Sequence, residues 1–450
     1  MRSSDSAPAS IEIIIQLAKV NALRLHVRKY QHATVAHCPV TQESKVLMTQ
    51  TTAIGSCQPQ RIIVTDPLAI NRRRLQSLDA LRGLVMVIML IDHIRENWYL
   101  YISVSDPVNP ATVDPAMFFL RIVTNLCAPV FVGLTGLSAY LYGETHSRPE
   151  TAQYLIKRGL LLMAIDATLI TFAWTVKLPV TFWLQVIWAI GVCMIALAIL
   201  IYLPKKLLLA LGLLIASGHN LLDGVHFVPG EPGFVPWTLL HQRDMIALPF
   251  GAFARTSYPV LPWIGVIVLG YLLGSWYQRD KSSADDSRQR VNRLIALGLT
   301  MLTVFFMLRL LNIYGDKPWV SGVSPLQTFM SFIALTKYPP SLLFLLQTLG
   351  VGVILLALFE RWEGHPWLNA LAVFGGAPMF FYIVHMYVLR AFYHVAFHIW
   401  GPTHGVSFGL DNLNWIWLWY AVLLPVLYVP TAWYSRLKAR RRDITWLKYF

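Results

Sequence analysis

Arg82 and His93 lie eleven positions apart in a run of residues that is otherwise almost entirely apolar. At 100° per residue they differ by only about 20° around a helix, so both project from one stripe, and Asp79 falls on the same side. Counted from Leu78, His93 sits roughly 22 Å along that helix. A second histidine, His385, closes the run FGGAPMFFYIVH at 374–385, and counted from Ala370 it reaches roughly the same 22 Å. Ionisable groups at such depth are costly, face a bundle interior and mark function. Arginine suits an anionic group; imidazole suits proton transfer or nucleophilic attack. Asp92 is the neighbour of His93 in sequence and points about 100° away, which makes it a poor orienting partner. The plainer reading is an Asp79–Arg82 pair at i,i+3 that only closes the helix at the headgroups, with His93 snorkelling outward.

The elements that must position these residues are membrane spans. The chain has 450 residues, 56% hydrophobic and 13% charged, with a mean hydropathy of +0.53. A soluble domain carries about 25% charged residues, so a soluble enzyme, a secreted disulfide scaffold and a nucleic-acid binder are excluded. Apolar runs give ten expected spans, near 78–100, 116–142, 154–174, 181–203, 207–222, 259–277, 293–313, 341–360, 368–398 and 415–436. The ninth is long enough to tilt or to start with a broken turn at Gly375–Pro378, and 323–337 reads as a re-entrant segment. The expected fold is therefore an all-α polytopic bundle in the lipid bilayer.

The net charge of +14 reports topology rather than a polyanionic partner. From residue 72 onward, twenty Lys and Arg fall in loops on one side and in the tail, against six in loops on the other. That asymmetry predicts both termini in the cytoplasm. The long loops, 101–115, 218–258, 314–340 and 399–414, are then on the outer side, where long loops are usually functional. Residues 1–74 are polar and mixed, with an apolar run at Ile11–Leu17 too short to span. They read as a disordered tail or as sequence ahead of a start at Met48. The core domain is expected at 75–440, with a basic cytoplasmic tail at 441–450.

Polar residues gather where spans meet the outer loops: His219, Asn220 and Asp223, then His241, then Arg309, Asn312 and Asp316, and Lys337 before Tyr338, Pro339 and Pro340. These are candidate contacts for a polar substrate, with Trp237 and Trp319 available to stack on a sugar. No metal site is expected: His394 and His398 are at i,i+4 but lack a third ligand, and Cys38, Cys57, Cys127 and Cys193 have no CxxC spacing.

The run SLDALRG at 77–83, followed by Asp92 and His93, resembles the first span of the transmembrane acyltransferases. NLCAPVFVGLTG at 125–136, GHNLLD at 218–223, YPVLPWIG at 258–265, LLNIYGD at 310–316, KYPPSLLF at 337–344 and the His385 run make the likeness closer. Together they resemble the bacterial branch named after the heparan-α-glucosaminide N-acetyltransferase catalytic domain, over about residues 72–436. The resemblance implies a multi-pass protein of the bacterial inner membrane that passes an acyl group from cytosolic acetyl-CoA to a sugar or amino sugar outside. It implies Arg82 and His93 as the catalytic signature. Beside them Asp92 and His385 are expected at the catalytic centre, His385 as the oxyanion-side donor or second base, with Arg82 and Asp79 at the CoA, no metal and a possible homodimer. In the heparan enzyme the active histidine lies in the loop after span one and the in-span polar residue is an asparagine, near which Asp92 falls here. The competing expectation is a permease or flippase for an anionic amphiphile, with Arg82 and His93 as a relay.

Overall fold

The structure, a computed structural model, describes residues 67–102, 104–174, 181–278, 284–441, 443, 444 and 447; of 67–75 and 284 only the backbone is described. The expected leader up to residue 66 and most of the basic tail lie outside the described residues. Helix α1 runs Pro67–Trp98, starting ahead of the expected boundary at 75, with a proline at its first position, where the missing N–H costs nothing. It is followed by α2 (Pro115–Thr124), α3 (Cys127–Gly143), α4 (Arg148–Ile165) and, after a π turn at Asp166–Ile170, α5 (Thr171–Trp174). Strand β1 (Thr181–Leu184) leads into α6 (Val186–Leu200), α7 (Lys205–Gly218) and α8 (Phe234–Leu240). Strands β2 (Met245–Ala247) and β3 (Phe253–Thr256) precede α9 (Leu261–Leu273) and α10 (Ala284–Leu311). The remainder is α11 (Pro325–Ile333), α12 (Leu342–Arg361), α13 (Pro366–Gly376), α14 (Pro378–Trp400) and α15 (Asn414–Arg440).

Among the described residues, six stretches can cross a membrane by length and composition: Pro115–Gly143, Lys205–Leu222, Asp285–Leu311, Leu342–Arg361, Pro378–Trp400 and Asn414–Arg440. Val186–Leu200 and Leu261–Tyr277 are apolar but shorter. The long helix α1 carries the charges that drew attention in the sequence. The ninth expected span is broken at Ala377 (φ −135°, ψ 53°), inside the Gly375–Pro378 turn expected there. One expectation needs correcting. The span drawn from 181 starts as a strand: Thr181, Phe182 and Trp183 favour β structure, and β1 pairs parallel to β3, which pairs antiparallel to β2. The stretch 323–337, expected as a re-entrant segment, holds the nine-residue α11, capped at its start by Ser324.

Side-chain oxygens at the helix starts set several boundaries. Asp114 Oδ1 accepts from the Ala116 and Met117 amides. Ser147 and Glu150 form a reciprocal capping box, and Ser341 caps α12. Helix α1 is the centre of the bundle, packing on α2, α3, α12, α13, α14 and α15, while α10 packs on α12 and α4 on α6. Arg290 of α10 and Glu360 of α12 form a buried ion pair, with Ser287 Oγ donating to the same carboxylate at 2.9 Å.

The contact of α1 with α13 is made by backbone. A Cβ on Gly83 would overlap the Leu371 carbonyl, and one on Gly375 would overlap the Asp79 carbonyl. Small residues of this kind let helices in lipid approach closely. Gly83→Ala or Gly375→Ala should destabilise the detergent-solubilised protein by about 1–3 kcal/mol, the usual cost of overpacking. Gly133→Ala, whose nearest neighbour would be a Leu349 methyl at 3.8 Å, should leave the melting temperature unchanged in the same thermal-shift series.

Candidate active site

His93 of α1 and His385 of α14 meet inside the bundle. His93 Nδ1 and His385 Nε2 are 2.6 Å apart, with the rings stacked at 4.9 Å and 9°. His385 Nδ1 lies 2.7 Å from the Phe381 carbonyl, one turn back on its own helix. A carbonyl only accepts, so His385 Nδ1 carries the proton. In a neutral pair His385 Nε2 must then accept from His93 Nδ1–H. The chain of donors fixes both tautomers and leaves the lone pair of His93 on Nε2, which has no hydrogen bond among the described residues. The two rings share one hydrogen bond, so they cannot both be cations. Trp174 and Tyr382 pack edge-on against His93, with centroids at 6.1 and 5.6 Å.

Three buried polar atoms have no partner among the described residues: Tyr382 Oη and Trp174 Nε1, on the rings against His93, and Asp166 Oδ1, whose charge is within range of Tyr382. Asp166 opens the π turn, and its other oxygen accepts from the Gln185 amide at 3.3 Å. Single-turn π segments occur frequently at functional sites. Sequence reasoning passed over Asp166 and Trp174. The available signal was a carboxylate within an apolar span, which is a functional candidate by default.

Asp92 is spoken for by arginines rather than by His93. It accepts from Arg95 Nε at 3.0 Å and from Arg121 Nη1 at 3.2 and 3.3 Å, while Arg95 also reaches Glu96 at 3.1 Å. The expected 100° offset holds in that Asp92 faces α2, and no hydrogen bond links it to the histidine pair. Its placement is that of a charge holding α2 to α1. Arg82 bonds Asp79 at 2.7 Å, Ser138 Oγ at 3.1 Å and the Gly375 carbonyl at 3.2 Å, and its side chain keeps one-fifth of its surface exposed. Lys438 and Arg158 add positive charge near it.

The loop candidates divide. His219, Asp223 and His241 come together, with His241 Nε2 3.1 Å from Asp223 Oδ1 and the two imidazoles at 5.5 Å. Asp223 and His241 line a cavity of about 520 Å³ with Asp106, Arg243, Asp316 and Lys317. Burial pushes the Asp223 carboxyl up, but hydrogen bonds from His241 and Asn220 outweigh it and hold the group below its ordinary range. Burial raises Asp106, against the Lys337 and Tyr338 amides that donate to it. Lys337 is buried, with its ammonium 5.3 Å over the Tyr338 ring and its charge within range of Asp92 and His93.

Arg309 and Asn312 are engaged by the fold itself. Arg309 is fully buried and spends four of its five N–H groups on the carbonyls of Lys317, Ser331, Phe332 and Ala334 at 2.7–3.0 Å, so it caps the C-terminus of α11 and ties it to the loop before that helix. Asn312, at φ 56°, brackets the Trp319 backbone with both ends of its amide at 3.0 Å. The indoles expected to stack on a sugar are also tied down: Trp237 Nε1 donates to Val225 and Trp319 Nε1 to Arg309.

The sequence model of a family described as heparan-alpha-glucosaminide N-acetyltransferase, catalytic, matches residues 74–310, more than half of the chain. The chain belongs to this family. No curated protein matches the chain. Heparan-alpha-glucosaminide N-acetyltransferase domains are transmembrane acetyltransferases, so the bundle is that of an integral membrane enzyme of this class. The N-acetyltransferase match contains Arg82, Asp92, His93, His219, Asp223, His241 and Arg309, whereas His385 lies beyond it.

Replacing Asp92 by alanine leaves Arg95 and Arg121 buried without their shared carboxylate. It should cost about 3–5 kcal/mol, read as a large drop in melting temperature, while Asp92→Asn should lose less because the hydrogen-bond acceptor remains.

Proposed function

We propose that this enzyme transfers an acetyl group from cytosolic acetyl-CoA to a hydroxyl or amine of a sugar on the outer side, with His93 as general base. The observation that carries this reading is the His93–His385 hydrogen bond with its tautomers set by the Phe381 carbonyl. His93 Nε2 takes the proton of the acceptor as the acceptor oxygen or nitrogen attacks the thioester carbonyl. The C–S bond breaks, and the proton returns to the departing CoA sulfur. His385 is a positioning residue: by accepting from His93 Nδ1–H it aims the opposite lone pair and spreads the charge of the imidazolium that forms.

Arg82, Lys438 and Arg158 supply cations for the CoA phosphates at the basic end of the bundle. Arg82 and His93 are about 16 Å apart along α1, a separation that an extended pantetheine arm can bridge. The polar atoms left without partners on Tyr382, Trp174 and Asp166 offer hydrogen bonds to the reacting groups. This reading puts both termini in the cytoplasm of a bacterial inner membrane, in keeping with the twenty-to-six charge asymmetry.

Release of CoA thiol from acetyl-CoA by the purified protein provides the test. His93→Ala should lower the rate by about 10²–10⁴, the usual worth of a general base, while acetyl-CoA still raises the melting temperature. His385→Phe should lower kcat with KM for acetyl-CoA unchanged, and Arg82→Ala should raise that KM. A His93→Ala enzyme with wild-type kcat contradicts the proposal. Absence of any stabilisation by acetyl-CoA favours transport of an anionic amphiphile instead.

A further inference from the structure

His219 is 2% exposed, and neither of its ring nitrogens has a hydrogen-bond partner among the described residues. Leaving both nitrogens of a buried imidazole unsatisfied is expensive, and nothing in the acyl-transfer reading uses them. His241, also buried, leaves Nδ1 without a partner. One ligand atom from each of His219, Asp223 and His241 lies within 4.8 Å of the others. Asp223 is aimed by a second layer: Asn220 Nδ2 donates to its Oδ2 at 2.9 Å, and Asn220 is itself fixed by the Leu342 amide, 2.9 Å from its Oδ1. That leaves Oδ1 turned toward the two histidines, the arrangement in which outer partners orient metal ligands.

We propose that His219, Asp223 and His241 bind a divalent transition metal, Zn²⁺ in the first instance, with its open coordination position facing the adjoining cavity. Two imidazole nitrogens and one carboxylate oxygen match the three-ligand zinc set and disfavour Mg²⁺ and Ca²⁺, which take oxygen. His219 and Asp223 are four residues apart across the turn that ends α7, and His241 follows α8. The metal thus ties the end of α7 to the loop after α8. The fourth position opens on the cavity of about 520 Å³, where Arg243 and Lys317 add positive charge, so water or an oxygen of an anionic or hydroxylated ligand completes the shell. No metal was expected from the sequence, because His241 joins the other two only through the folded loop.

The test is Zn²⁺ titration of the full-length, tag-free, chelator-stripped protein by calorimetry, with metal content measured after dialysis. The wild type should hold about one Zn²⁺ per chain, and Co²⁺ should replace it with visible absorption bands. His219→Gln and His241→Gln should each weaken binding by at least ~10-fold. So should Asp223→Ala, a change at a half-exposed side chain that leaves the fold in place. His93→Ala, which tests the transfer chemistry, should keep the Zn²⁺ signal, so the two readings fail separately. A wild-type protein with an intact thermal transition and no bound Zn²⁺ overturns the proposal, and so does equal binding by wild type and Asp223→Ala.

Discussion

The architecture rests on the backbone contact between α1 and α13. Gly83 and Gly375 bring each helix against a carbonyl of the other, closer than any Cβ permits. That contact fixes α1 beside the break at Ala377, and the break sets the start of α14 at Pro378. His385 lies two turns into α14, and this placement is what brings it to His93. The site is therefore a consequence of a helix crossing made of glycine.

Around that crossing the polar groups of α1 separate into two levels, and at one of them into two faces. Asp79 and Arg82 pair at one end with part of their surface exposed. Asp92, Arg95 and Arg121 form a buried set toward the other end. The imidazole pair sits on a different face from Asp92 and makes no hydrogen bond to it. An ion set of this kind holds α2 in place, whereas the imidazoles, bonded only to each other and to a carbonyl, keep a free lone pair. Neighbouring residues 92 and 93 thus have different work because one helical step turns them about 100° apart.

Much of this was legible in the sequence, for a physical reason. Within a single helix, spacing alone fixes angle and depth, so Arg82 and His93 could be placed on α1 before any fold was known, and His385 could be levelled with His93. The turn at Gly375–Pro378 was legible from glycine and proline chemistry. Residues whose partners come from loops were not. Arg309 reads as a substrate contact in isolation, and only the fold brings three carbonyls at the end of α11, and that of Lys317, to its guanidinium. Likewise Thr181–Leu184 looks like the start of an apolar span until β3 supplies its pairing edge. His241 reaches His219 through a loop that no periodicity describes.

The central claim is that acetyl transfer occurs at the His93–His385 pair. A cryo-electron microscopy structure with a non-hydrolysable acetyl-CoA analogue tests it most directly. The account expects the phosphates near Arg82 and Lys438 and the thioester position within about 4 Å of His93 Nε2, the reach of a reacting group. An analogue seated in the cavity beside Asp223 and His241, with His93 untouched, would contradict it.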